Sequence, residues 1–130
     1  MLVHEDRLFL MKTPPVLLGD MCIWQGVYAA TAALKHRIEP APESRRYAER
    51  AFEGLALMAT RGRPIARAVL PADLPAEDGG RWYHRDAQWQ WKEDASIDSA
   101  AGWVFGMVMT LKLTPSKRAE AVAELRRFAD

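Results

Sequence analysis

The chain has 130 residues, in which 18 Lys and Arg balance 17 Asp and Glu to give a formal net charge of +1. This length and a hydrophobic content of 49% are typical of one globular domain that forms its core without disulfide bonds or a structural metal. The single cysteine excludes an intramolecular disulfide and a cysteine-based zinc site, and the near-zero charge argues against nucleic-acid binding. We therefore expect no metal, no cofactor and no nucleic-acid partner.

The start of the chain and its two most apolar stretches bear on membrane association. Residues 1–11 lack the basic and then apolar order of a secretory signal. Met21–Leu34 and Ser99–Leu111 are each shorter than the ~20 residues that span a bilayer. We therefore expect core helices there, no membrane partner and a cytoplasmic location.

The first half of the chain predicts a helical hairpin over about residues 20–61. Asp20 is a suitable N-cap for a helix over Met21–His36, and the prolines of the segment Glu39–Pro42 end that helix. Apolar residues cover all of its sides, which predicts that it is buried. A second helix over about residues 43–61 is amphipathic, with one face in solvent.

The second half predicts a polar loop and another hairpin. Ile65–Leu70 fits a helical turn or a short strand, and the following segment over about residues 71–95, rich in Trp, Pro and Gly, predicts a loop. A hairpin over about residues 96–129 then pairs an apolar helix with an amphipathic one, which Thr114 and a proline begin. Residues 1–130 thus predict a single all-α domain of two antiparallel hairpins in two layers.

Glycine spacing predicts how the two apolar helices meet. Gly102 and Gly106 lie four residues apart, on one face of the third helix. Without side chains at these positions, a neighbouring backbone can approach closely. We expect the apolar helices of both hairpins to form the inner layer.

Three segments carry a resemblance to a known family: DMCIWQGVY over residues 20–28, TRGRPIAR over 60–67 and WKEDASID over 91–98. In this combination, over about residues 18–113, the chain resembles the six-hairpin glycosidase-like (α/α) toroid proteins. The resemblance implies a segment of an (α/α)6 toroid with about two of its six hairpins. It also implies a carbohydrate-related or polar-ligand role, and glycoside hydrolase-like chemistry if the chain is an enzyme.

The chain departs from the family pattern, and this opens an alternative function. Arg61 precedes Gly62 as an insertion, and Ile65 stands where the family has a second glycine. Catalysis is therefore not implied with the ancestry. Because part of a ring leaves apolar inner-helix surface uncovered, we expect a homo-oligomer or a partner protein that completes the helical ring. The alternative function is a non-catalytic helical interaction or assembly module.

The candidate site combines carboxylates with aromatic side chains. Flat rings stack on sugar C–H faces, and carboxylates accept hydroxyl protons or act as general acid and base. An alternative is that the loop tryptophans fill the core where the loop crosses the inner helices. The candidate catalytic residues are Asp20, Asp94 and Asp98, and the candidate ligand-binding residues are Trp24, Tyr28, Arg67, Trp82, Trp89 and Trp91.

Several of these residues also have structural interpretations. Asp94, Ser96 and Asp98 imitate the start of a calcium loop, but the turn glycine and the bidentate glutamate are missing, which favours Ser96 and Asp98 as helix caps. Asp20 fits a helix cap as well as a ring-mouth carboxylate. Arg67 either orients a ligand or pairs with Asp94 or Asp98, and Cys22 is interpreted as a structural thiol.

Overall fold

The computed structural model describes residues 20–61, 64–73 and 84–130, and α-helices dominate this part of the chain. The predominantly helical fold is confirmed, and the predicted helix limits agree with the observed ones to within a few residues. The helices are α1 (Met21–Ile38), α2 (Pro42–Arg61), α3 (Ile97–Leu113) and α4 (Arg118–Ala129), with a 3-10 turn over Pro115–Lys117 before α4.

A small antiparallel sheet lies between α2 and α3. Its first strand falls in the segment predicted as a helical turn or a short strand, and its other two strands fall in the segment predicted as a loop. It consists of β1 (Ala68–Pro71), β2 (His84–Arg85) and β3 (Trp89–Lys92) in the order β1-β3-β2. β1 pairs with β3 so that Ala68 lies opposite Lys92 and Pro71 opposite Trp89. β3 is therefore held in place by its pairing with β1.

Asp86 fixes the turn between β2 and β3. Its Oδ1 accepts hydrogen bonds from the backbone N–H groups of Gln88 at 2.8 Å and Trp89 at 2.7 Å. Its Oδ2 lies 2.6 Å from Nη1 of Arg61. Because these contacts favour the ionised carboxyl, chiefly through the two backbone hydrogen bonds, the pKa of Asp86 is lowered.

The starts of α1 and α3 differ in their capping. Ser96 is the N-cap of α3 and accepts a hydrogen bond from the backbone N–H of Ser99 at 3.2 Å, as the sequence predicts. Asp98 lies in the first turn, where the helix dipole stabilises a negative charge. Asp20 occupies the N-cap position of α1, but its side chain makes no capping hydrogen bond. The capping interpretation holds for Ser96. It does not hold for Asp98, which lies inside the helix, or for the Asp20 side chain.

α1 and α3 run in the same direction and contact each other through glycines. Cys22 Sγ donates a hydrogen bond to the Ser99 carbonyl at 3.5 Å, and further along both helices the backbone of Gly26 meets Gly102 and Gly106. A Cβ built on Gly102 would lie 2.7 Å from Cα of Ile23, and one on Gly106 would lie 2.8 Å from Cα of Gly26. The predicted close approach at Gly102 and Gly106 is confirmed, and Gly26 is its partner.

α2 packs across this crossing, and its backbone accepts a hydrogen bond from one side chain of each helix. Gln25 Nε2 of α1 donates to the Ala51 carbonyl at 2.9 Å, and Trp103 Nε1 of α3 donates to the Leu55 carbonyl at 3.0 Å. Both side chains are buried. Trp103 also packs against Phe128 of α4, with ring centroids 5.2 Å apart. The inner pair of helices is thereby attached to the outer ones.

Candidate functional site

The predicted carboxylates come together at one end of the molecule. Because α1 and α3 run in parallel, Asp20 before α1 and Asp98 in the first turn of α3 lie at the same end of the pair. Asp94 lies three residues before the start of α3, at this same end. All three side chains are exposed. We call this the acidic end.

Arg67 joins the acidic end to the sheet. Its backbone carbonyl accepts from the N–H of Cys22 at 3.2 Å, and its N–H donates to the Lys92 carbonyl at 2.7 Å. Its guanidinium Nη1 donates to the main-chain carbonyl of Asp94 at 3.4 Å. Asp94 itself has φ of 61°, and among the described residues no other non-glycine residue has positive φ. Arg67 thus contacts the main chain of Asp94.

The tryptophans of β3 lie behind this end. Trp89 and Trp91 are partly buried and pack against the main core, as does Tyr28 of α1. The guanidinium carbon of Arg61 lies 5.7 Å from the centre of the Trp91 ring. A stacking ligand would need to displace these neighbours to reach the covered ring faces. Trp82, also predicted to bind a ligand, lies outside the described residues.

The expectation that the apolar helices are buried on all sides is wrong. Trp24 is 61% exposed and Ile38 is 69% exposed on α1, while Ile97 is 89% and Phe105 is 49% exposed on α3. On each helix these residues lie away from the side that packs against α2. We call the surface that they share the α1/α3 face; its exposed apolar residues are Trp24, Val27, Leu34, Ile38, Ile97 and Phe105.

The exposed apolar residues of α1 form a stripe that is visible in the sequence, although the pattern does not show whether the stripe is buried by the same chain or by a partner. From Asp20, the outward positions of α1 recur at alternating intervals of four and three residues, at 20, 24, 27, 31, 34 and 38. Such spacing places them in one stripe along a helix, as in a helix that packs against another helix. The stripe is apolar except for Asp20 and Thr31.

A shallow depression of about 370 Å³ lies at the carboxyl-terminal end of this stripe. Its lining residues are Thr31, Leu34, Lys35, Ile38 and Glu39. The lining is mostly apolar and opens to solvent, with a charged side chain at its rim. It lies at the opposite end of α1 from Trp24 and the acidic end.

Cys22 is a structural thiol in this arrangement. Its side chain is fully buried beneath the α1–α3 crossing. Burial disfavours the thiolate and raises the pKa of Cys22 to about 12. The thiol is therefore protonated at neutral pH and is a poor nucleophile.

Within residues 20–61, 64–73 and 84–130, no three His, Cys, Asp or Glu side chains are grouped so that they could hold a metal ion. Over the same ranges, no helix combines the length and the hydropathy needed to cross a membrane.

Comparisons with known proteins return no relative. No family model matches the chain, and neither a curated protein nor a solved structure matches it. The two features of the molecule that bear on its function are therefore the acidic end and the α1/α3 face.

Proposed function

We propose that the chain is a non-catalytic helical assembly module, and that its α1/α3 face packs against the same face of a second copy. The exposure of large apolar side chains on α1 and α3 carries this proposal. The six apolar residues of the face are between 39% and 89% exposed. Because large side chains present roughly 150–250 Å² when fully exposed, their exposed area sums to on the order of 600 Å². That is at the top of the roughly 300–600 Å² found for the largest apolar patch of a monomer.

The area also suits a dimer. A stable interface removes about 800 Å² from each partner, with an apolar centre and a polar rim. The α1/α3 face supplies the apolar centre, and the charged side chains Asp20, Lys35, Asp98 and Lys112 supply its rim. Face-to-face packing covers Trp24 and Ile97, whereas a ring completed at the edges of the hairpins would leave them facing its opening. This favours face-to-face packing of two copies over ring completion.

The dimer is tested by light scattering with variants on both sides of the molecule. We expect a dimer at micromolar concentration, and we expect Ile38→Glu to weaken association at least tenfold, because it places a charge among the apolar side chains of the contact. Tyr47→Glu is the matched control, since Tyr47 is an exposed aromatic on α2, away from the face. A wild-type monomer throughout this range, or equal weakening by both variants, would contradict the proposal.

We also propose, as a second candidate, a carbohydrate or small polar ligand at the acidic end. The observation that favours it is the exposed ring of Trp24, one helical turn from Asp20 and at the same end as Arg67, Asp94 and Asp98. This candidate keeps the relation to the glycosidase-like toroid as a proposal, supported by two hairpins whose apolar helices lie side by side. It requires Trp24 to be accessible, which the dimer does not allow.

Tryptophan fluorescence distinguishes the two candidates. If the acidic end binds sugars, titration with a panel of neutral and acidic oligosaccharides will quench the emission, and Trp24→Phe will remove most of the change. Asp98→Asn should weaken the same response with no loss of helical circular dichroism. Absence of quenching at millimolar sugar would exclude this candidate and would leave the dimer intact.

A further inference from the structure

The charges at the ends of α1 and α3 give the α1/α3 face a direction. Asp20 stands at the start of α1 and Asp98 in the first turn of α3, while Lys35 and Lys112 lie in the last turns of the same helices. All four side chains are exposed. Because the helices are parallel, both carboxylates lie at one end of the face and both ammonium groups at the other.

We infer that two copies pack antiparallel, about a two-fold axis that lies in the interface and runs across the helices. This inference rests on the proposed function and specifies its partner and orientation. Such an axis stacks α1 on α1 and α3 on α3 with their directions reversed. The interface is isologous, so each contact occurs twice. Asp20 then lies near Lys35 of the second copy, and Asp98 near Lys112 of the second copy.

The other face-to-face arrangement has an axis parallel to the helices. It stacks α1 on α3 of the second copy without reversing direction. Asp20 would then face Asp98, and Lys35 would face Lys112. Like charges brought together at an interface disfavour that arrangement, whereas the antiparallel one pairs opposite charges at both ends. Glu39, beside Lys35, is the acidic exception at the basic end.

The shape of the face agrees with the same orientation. The axis crosses α1 near its middle, between Val27 and Thr31. Reversing α1 about that point brings Trp24 of one copy toward the depression lined by Thr31, Leu34 and Lys35 on the other. The most exposed aromatic ring of α1 therefore meets a recess on the second copy, and an aromatic side chain buried in a pocket is typical of a strong contact.

Cysteine cross-linking tests the orientation. Asp20→Cys and Lys35→Cys are prepared separately, mixed, and treated with a short flexible bismaleimide. The native Cys22 is buried and stays silent. We expect a covalent dimer from this mixture and little from either variant alone. The matched pair Asp20→Cys and Asp98→Cys reports the parallel arrangement and should not cross-link.

The outcomes separate the two proposals. Light scattering that shows a dimer, together with cross-linking of Asp20→Cys to Asp98→Cys, overturns the orientation and leaves the proposed function standing. A monomer by light scattering overturns both. A dimer that cross-links only through the first pair supports both.

Charge exchange gives a second measurement. We expect Lys35→Glu to weaken dimerisation about tenfold at low salt, and the double variant Asp20→Lys with Lys35→Glu to recover most of that loss. Arg50→Glu on the exposed side of α2 is the control and should leave dimerisation unchanged. Failure of the second substitution to restore association would contradict the pairing of Asp20 with Lys35.

Discussion

Replacing Gly26 with alanine is expected to lower the free energy of unfolding by about 3 kcal/mol or more. A Cβ at this position would overlap the Gly102 carbonyl, which belongs to the backbone of α3 and cannot turn aside as a side chain could. The helix propensity of alanine acts in the opposite direction by about 1 kcal/mol. A net loss would therefore come from the crossing itself, because α1 and α3 must separate to admit one methyl group.

Gly54→Ala is the matched control for this experiment. Gly54 lies in the middle of α2, where the atoms nearest to an added Cβ are those of the Gln25 side-chain amide. We expect a smaller loss, since a side chain can shift and the gain in helix propensity offsets part of the cost. Both variants are measured by urea denaturation. Gly26→Ala with wild-type stability would show that the crossing is looser than the structure has it.

Trp103→Ala is the second substitution for which we expect a large effect, of about 3–5 kcal/mol. The ring is fully buried, contacts Phe128 and donates a hydrogen bond to the Leu55 carbonyl. Its removal leaves a cavity where α2, α3 and α4 meet. Trp103→Phe keeps most of the apolar volume and loses the hydrogen bond, so a smaller loss of about 1 kcal/mol is expected.

Thermal and urea unfolding of the two Trp103 variants would be compared with Tyr47→Ala. Tyr47 is a large aromatic residue on the exposed side of α2, so its truncation should change stability by no more than about 0.5 kcal/mol. Equal losses for Trp103→Ala and Tyr47→Ala would mean that Trp103 is not the centre of the core.

Much of the helical structure follows from local signals in the sequence. The proline segment after α1 and the Ser96 cap are short-range features that mark the end of one helix and the start of another, and Thr114-Pro115 begins the 3-10 turn that precedes α4. The Gly102 and Gly106 spacing also predicted a close contact correctly. Its partner Gly26 is separated by most of the chain, and sequence spacing gives no measure of such a distance.

The sheet and the α1/α3 face could not be predicted in the same way. β3 forms because β1 pairs with it across the intervening residues, and that pairing is not local. An apolar helix is compatible both with burial inside its own chain and with burial by a partner, because the hydrophobic pattern is the same. Trp24 and Ile38 could therefore be identified as apolar, whereas their exposure depended on where α2 lies.

The acidic end shows how far residue types alone could identify a site. The resemblance singled out Asp20, Arg67, Asp94 and Asp98, which the parallel helices place at one end of the molecule. Trp89 and Trp91 belong instead to a strand that packs on the core. Because Trp89 and Trp91 are two residues apart in β3, both rings lie on the same side of the sheet, and this side packs against the core.

The contact between α1 and α3 also has a consequence for synthesis of the chain. The hydrogen bond from Cys22 to Ser99 joins residues 77 positions apart, whereas His36 and Ser44, which join α1 to α2, are eight apart. The first hairpin can therefore close soon after α2 leaves the ribosome, since short loops close fastest. The side of α1 that carries Gly26 then stays uncovered until α3 has been synthesised. We expect a chaperone to bind the chain chiefly during this interval, when that apolar surface is exposed.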